Sequence, residues 1–196
     1  TNGHGSLFHA SIAFDGKEEA WLDISDSAPG EHDVPFLTIA IAPTKNDDRL
    51  EWFVEKAVEL GIKSIVLIEC ERSEKVMVRH ERLQRIAISA LKQSQGVWMP
   101  EITGPIRFPE ALKSLNHGTR LIAHCLEDPS KKAVQDFAGS KSPVTVLIGP
   151  EGDFSPEEIQ LAISEGVIPV TLGNQRLRTE TAALAAVAIF DLLSHS

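Results

Sequence analysis

The sequence predicts an α/β domain, a parallel β-sheet with helices on both faces. Three observations lead there. Near-continuous apolar runs recur at FLTIAIA (36–42), KSIVLIEC (63–70) and SPVTVLI (142–148), as in strands buried on both faces. Segments with apolar residues at helical spacing alternate with them, and that alternation builds parallel sheets. Three of the strand ends run into polar, mostly glycine-bearing loops, the place where open α/β sheets hold ligands.

The elements follow in order. Residues 6–14 and 19–25 read as two strands around the turn DGKE, and 26–35 as a linker with two prolines. Two strands do not make an independent domain. Residues 1–30 therefore read as part of a small β domain, and 31–196 as the main one. Leu50, Phe53, Val54, Ala57, Val58 and Leu60 form one helical stripe, closed by Gly61. Residues 81–94 form a second amphipathic helix, and Pro109 opens a short helix over 110–116. A strand is expected at 119–125, a short helix at 130–138 and a helix at 156–165 ended by Gly166. A strand follows at 167–172 and a last helix at 180–194. That helix carries five alanines and few polar residues. Its several apolar faces call for burial, within the domain or against a second subunit.

Composition is that of a globular protein, 42% hydrophobic and 24% charged. No apolar run reaches membrane-spanning length and no leader is visible, so a cytoplasmic protein without a membrane partner is expected. Cys70 and Cys125 each end an apolar run and are expected as buried free thiols. No Cys/His spacing suggests a metal site. The net charge of −9 argues mildly against nucleic acid. Its distribution weakens that argument: residues 72–92 alone carry a net +4, and local charge decides whether a polyanion docks. The alternative is a solvated helix face.

The loops carry the chemistry. In IGPEGDFSPEE (148–158), Ser155, Pro156 and Glu158 spell a helix entry with a capping box. Capping does not need GPEG. It offers main-chain groups and the Glu151 carboxylate at the sheet edge, and it matches no phosphate-binding pattern. LGNQRLRTETA (172–182) has the same build, with Thr179 as a candidate N-cap. Arg176 and Arg178 stand beside a helix N-terminus, where positive charge is locally unfavourable and calls for an external or cross-subunit partner. Two backbone-rich loops over an apolar floor of Ile148, Leu172 and Leu177 suit a neutral or zwitterionic, nucleoside-like ligand.

Four stretches give a resemblance: APTKNDDRLEWFVEKAVELGI (42–62), CERSEKVMVRHERLQRIAISALKQS (70–94), LIGPEGDFSPEEI (147–159) and LGNQRLRTETAALAAVA (172–188). Together they resemble the RsmE family of 16S ribosomal RNA uridine-N3 methyltransferases, within the SPOUT superfamily. The resemblance implies an α/β-knot methyltransferase domain with a C-terminal trefoil knot, preceded by a partial PUA-like β-barrel remnant. It implies S-adenosylmethionine as methyl donor, 16S rRNA of the small ribosomal subunit as substrate, and a homodimer through the knot region and last helix. Cofactor contacts then fall on Ala123, His124, Cys125, Ile148, Gly149, Pro150, Glu151, Gly152, Leu172, Gly173, Leu177, Arg178 and Thr181. Arg178 and Glu180 are the catalytic candidates, and Glu151 is an alternative partner for Arg178. RNA contacts are expected from Lys45, Arg49, Arg72, Lys75, Arg79 and Lys92. The family often has Arg where this chain has Gly96. Two other readings stay open: a different RNA methyltransferase of the superfamily, acting on a ribose hydroxyl, and a non-catalytic RNA-binding assembly factor.

Overall fold

The computed structural model describes residues 1–29 and 37–194. Its main body is a seven-stranded sheet in the order β5-β4-β3-β8-β6-β9-β7, and every recorded pairing is parallel. The strands are β3 (Leu37–Ile41), β4 (Ser64–Glu69), β5 (Glu101–Arg107), β6 (Thr119–Ala123), β7 (Lys132–Ala133), β8 (Val144–Ile148) and β9 (Ile168–Thr171). The helices are α1 (Asp47–Glu59), α2 (His80–Gln93), α3 (Phe108–Ser114), α4 (Pro156–Ser164) and α5 (Thr179–Ser194).

The apolar runs are continuous because the sheet is covered on both sides. In β3, Leu37, Ile39 and Ile41 face a core shared with α1, α2 and α5, while Ala40 faces a second core shared with α3 and α4. Each helix starts where its sequence allows. Asn46 caps α1 by accepting the Asp48 N–H at 3.0 Å. Ser155 and Glu158 form the expected capping box at α4, with Pro156 in the first turn. After α2, Gln95 adopts φ +57° and Gly96 N–H returns to the Leu91 carbonyl at 2.9 Å. That 6→1 closure ends the helix and is one local use of Gly96.

Three expectations change. β5 is absent from the expected strands; it contains Gly104-Pro105, a pair that ordinarily marks turns. In the sheet Gly104 takes φ +91° at a shift in the β4–β5 register, where a Cβ would lie 2.2 Å from the Leu67 carbonyl oxygen. Only glycine fits there. The expected helix at 130–138 is instead the two-residue strand β7 and a 3-10 turn, Val134–Phe137. Pairing of Lys132 and Ala133 with Val170 and Thr171 overrides the local helical preference. The second N-terminal strand runs on to Pro29: β1 (Ser6–Asp15) and β2 (Ala20–Pro29) form a separate antiparallel hairpin. Gly5 N–H joins the hairpin to the main body at the Val97 carbonyl, 2.8 Å away, and Met99 N–H reaches Gly3. The domain boundary at 30–31 and most of the 26–35 linker lie outside the described residues.

The β6–β9 arrangement positions the site. β9 lies between β6 and β7, although residues 124–131 link β6 to β7 directly. That link therefore crosses the C-terminal end of β9. The loops after β6, β8 and β9 meet at one edge of the sheet.

Candidate functional site

Three loops build two adjoining pockets at the C-terminal edge of the sheet. One, of about 340 Å³, is lined by Ala123, His124, Cys125 and Lys131 from the loop after β6, and by Val170 to Leu177 and Ala182. The other, of about 310 Å³, is lined by Cys125, Pro150, Glu151, Asp153 and Arg176 to Thr179. Cys125, Arg176 and Leu177 belong to both. These volumes fall in the range of small-molecule sites, about 300–1,000 Å³.

Long-range hydrogen bonds fix the loops. Asp153 adopts φ +63° and accepts the Cys125 N–H at 2.7 Å through Oδ2 and the Phe154 N–H at 2.9 Å through Oδ1. Thr179 Oγ1 donates to the Gly149 carbonyl at 3.1 Å. Lys131 Nζ donates to the carbonyls of His124 and Leu126, both at 2.6 Å, and so gathers the crossing loop around itself. Phe154 is buried against Phe108, ring centroids 5.2 Å apart. Gly149 leaves room for it, since a Cβ there would lie 3.1 Å from the Phe154 ring.

His124 is the unusual group in the larger pocket. Its side chain is 2% exposed and neither ring nitrogen has a hydrogen-bond partner; Nε2 lies 4.0 Å from Asp128 Oδ2. Burial, aided by the nearby charge of Lys131, pushes its pKa below the ordinary histidine value, so the ring is neutral at pH 7. Cys125 is exposed, against expectation, because its loop crosses the sheet edge rather than entering the core; Cys70 is buried and free. Burial pushes the Cys125 thiol up, with the Asp153 charge adding to it.

The structure brings most of the expected cofactor residues together. Ala123, His124, Cys125, Leu172, Gly173 and Leu177 line the larger pocket, and Pro150, Glu151, Leu177 and Arg178 the smaller. Four others line neither. Ile148 packs into the core beneath the loop. Gly149 and Gly152 spend their carbonyls on Thr179 and Arg72, and Thr181 is solvent-exposed. Glu180 is also absent from both linings. It is buried at the start of α5, with Oε1 3.8 Å from Arg49 Nε and Oε2 unpartnered. Glu151 lines the same pocket as Arg178, and its Oε1 accepts the Lys45 N–H at 3.0 Å.

The basic residues expected to face RNA are largely engaged internally. Lys45 pairs with Glu74 at 2.6 Å, and Lys75 and Arg79 both pair with Asp47. Arg72 donates to the Gly152 carbonyl at 3.0 Å, so it braces the GPEG loop. The net +4 of residues 72–92 is halved by Asp47 and Glu51 of α1, which the linear count cannot see. Lys92 remains exposed. Sequence reasoning missed Asp153 and Lys131; the only sequence signal was their place in loops after apolar runs.

Comparison with known proteins agrees with this geometry. Residues 31–191 match the family model described as an RNA methyltransferase domain. The ribosomal RNA small subunit methyltransferase E of Rickettsia conorii is 30% identical over 98% of this chain and 79% of its own length. A crystal structure of a probable rRNA-methyltransferase from Porphyromonas gingivalis is 39% identical with a TM-score of 0.91, covering 100% of this chain and 83% of that one. A ribosomal RNA small subunit methyltransferase E from Neisseria gonorrhoeae, crystallised with S-adenosyl methionine, is 30% identical with a TM-score of 0.84, covering 97% and 80%. A three-loop cleft behind a parallel sheet, carried on residues that match this model over most of the chain, makes the protein a member of the RsmE family of RNA methyltransferases.

Proposed function

We propose that this protein transfers a methyl group from S-adenosylmethionine to N3 of a uridine in the 16S rRNA of the small ribosomal subunit. The observation that carries the reading is the pair of joined pockets, one with an apolar floor and main-chain edges and one holding Arg178.

The larger pocket suits the cofactor. Val170, Leu172, Leu177 and Ala182 give an apolar floor for a purine, and the 172–175 backbone offers groups that read its edge. The orphaned ring nitrogens of His124 are a second fit, since a buried polar group without a partner is costly until a ligand or water supplies one. When bound, S-adenosylmethionine supplies an electrophilic methyl carbon.

The chain supplies position and electrostatics. Uracil N3 bears a proton at neutral pH, and its lone pair must be freed and aligned. Arg178 stands in the smaller pocket with no carboxylate partner among the described residues. There it stabilises negative charge on the base oxygens as N3 loses its proton. Glu151 shares that pocket and is the better placed of the two acidic candidates to accept the proton or orient Arg178. Glu180 braces Arg49 instead.

Three architectural assignments belong to the same proposal. A trefoil knot is supported by the crossing of residues 124–131 at the end of β9, the strand that leads on to α5. A homodimer is supported by the outward side of α5, where Leu184, Ala185, Ala188 and Ile189 are only half-buried and Leu192 is 70% exposed. A partial PUA-like β unit is supported by the β1–β2 hairpin, whose Ile12, Trp21, Leu22 and Ile24 face outward. A ribosomal substrate assigns the reaction to the cytoplasm.

Arg178→Ala is the direct test. Methyl transfer to small-subunit RNA should collapse while cofactor affinity, read by calorimetry, changes little. Wild-type turnover in that variant sinks the assignment.

A further inference from the structure

Arg176 lines both pockets and stands exposed at their shared rim. Among the described residues it forms no ion pair and no side-chain hydrogen bond. That separates it from most basic groups along this sheet edge: Lys45, Arg49, Arg72, Lys75, Arg79 and Lys131 are all engaged by carboxylates or carbonyls. Two acids, Glu151 and Asp153, line the smaller pocket with it, and neither forms an ion pair with it. Asp153 spends both oxygens on the Cys125 and Phe154 N–H groups, and Glu151 accepts the Lys45 N–H. An unpaired guanidinium at a pocket rim keeps its donor fork for an incoming anion.

We propose that Arg176 grips a phosphodiester oxygen of the RNA strand whose base enters the smaller pocket beside Arg178. The reading rests on the function proposed above and adds a positioning residue to it. The geometry divides the two arginines. Arg178 lines only the smaller pocket, beside Pro150 and Glu151. Arg176 is exposed at the rim the two pockets share, on the solvent side from which a strand approaches. Phosphate contacts fix the register of a nucleic acid without reading its sequence. The carboxylate of the cofactor has the same anionic-oxygen chemistry, and the experiment separates the two sources.

Arg176→Gln and Arg176→Lys are compared with wild type in three measurements: binding of a small-subunit RNA fragment by fluorescence anisotropy across a salt series, S-adenosylmethionine binding by calorimetry, and steady-state methylation. The glutamine variant should bind RNA about tenfold more weakly. Its log Kd against log salt slope should flatten by about 1. KM for RNA should rise with kcat and cofactor affinity unchanged, and lysine should restore part of the loss. Weakened cofactor binding with unchanged RNA binding overturns the proposal in favour of the carboxylate. Unchanged values for both overturn it outright. Absence of methylation by the wild type refutes the functional reading instead, while the RNA-binding arm still reports on Arg176.

Discussion

Thr179 Oγ1 donates to the Gly149 carbonyl at 3.1 Å, with both residues buried, and so joins the two loops that sequence alone could only set side by side. One loop ends β8 and the other opens α5, 30 residues later. Thr179 is the first residue of α5 and not its expected N-cap; its hydroxyl ties the two loops instead.

Thr179→Val should remove that bond and strand the Gly149 carbonyl, at about 1–3 kcal/mol. Thermal unfolding should show the loss. Thr179→Ser should keep most of the stability, because its hydroxyl reaches the same oxygen.

Asp153 makes the parallel tie to the loop after β6. Asp153→Ala loses both N–H acceptors and places alanine at φ +63°. Cofactor affinity should fall about tenfold, from the loss of a charge-assisted bond. Asp153→Asn keeps one acceptor and a residue tolerant of that backbone region, so it should fall less. Equal calorimetric affinities for the two variants contradict the tie.

His124 sets a pH dependence. Its folded-state pKa lies below the ordinary 6.5, so the unfolded chain binds the extra proton first as pH drops. Its contribution to stability is present above about pH 6.5 and is lost as pH falls through the lowered value. Melting temperatures from pH 8 to 5 should decline more steeply in wild type than in His124→Gln.

The thiols should separate under a thiol reagent. Cys125 is exposed at the pocket junction, while burial pushes the Cys70 thiol far up. One thiol per native chain should react, faster as pH rises, and S-adenosylmethionine should protect it. Labelling of Cys70 at the same rate contradicts the burial.

Much of the fold was legible because parallel strands covered on both faces leave near-continuous apolar runs, as 37–41 and 144–148 show. β5 was not, because Gly104 enters the sheet at a register shift that depends on Leu67 of another strand. The site divides the same way. The GPEG and GNQRLR loops announced themselves by residues that turning does not require. The contacts that assemble them, Asp153 to Cys125 and Arg72 to Gly152, cross 28 and 80 positions and follow only from strand order. The ion pairs of the basic stretch 72–92 were out of reach for the same reason: Asp47 and Glu51 lie on a different helix.

The central claim is methyl transfer to N3 of a uridine in small-subunit RNA. The most direct measurement incubates the protein with S-adenosylmethionine carrying a labelled methyl group and unmodified small ribosomal subunits, then digests the RNA to nucleosides for mass spectrometry. Label is expected in a single N3-methyluridine product, lost in Arg178→Ala. Label in a 2′-O-methyl nucleoside, or none in the RNA although the cofactor binds, contradicts it.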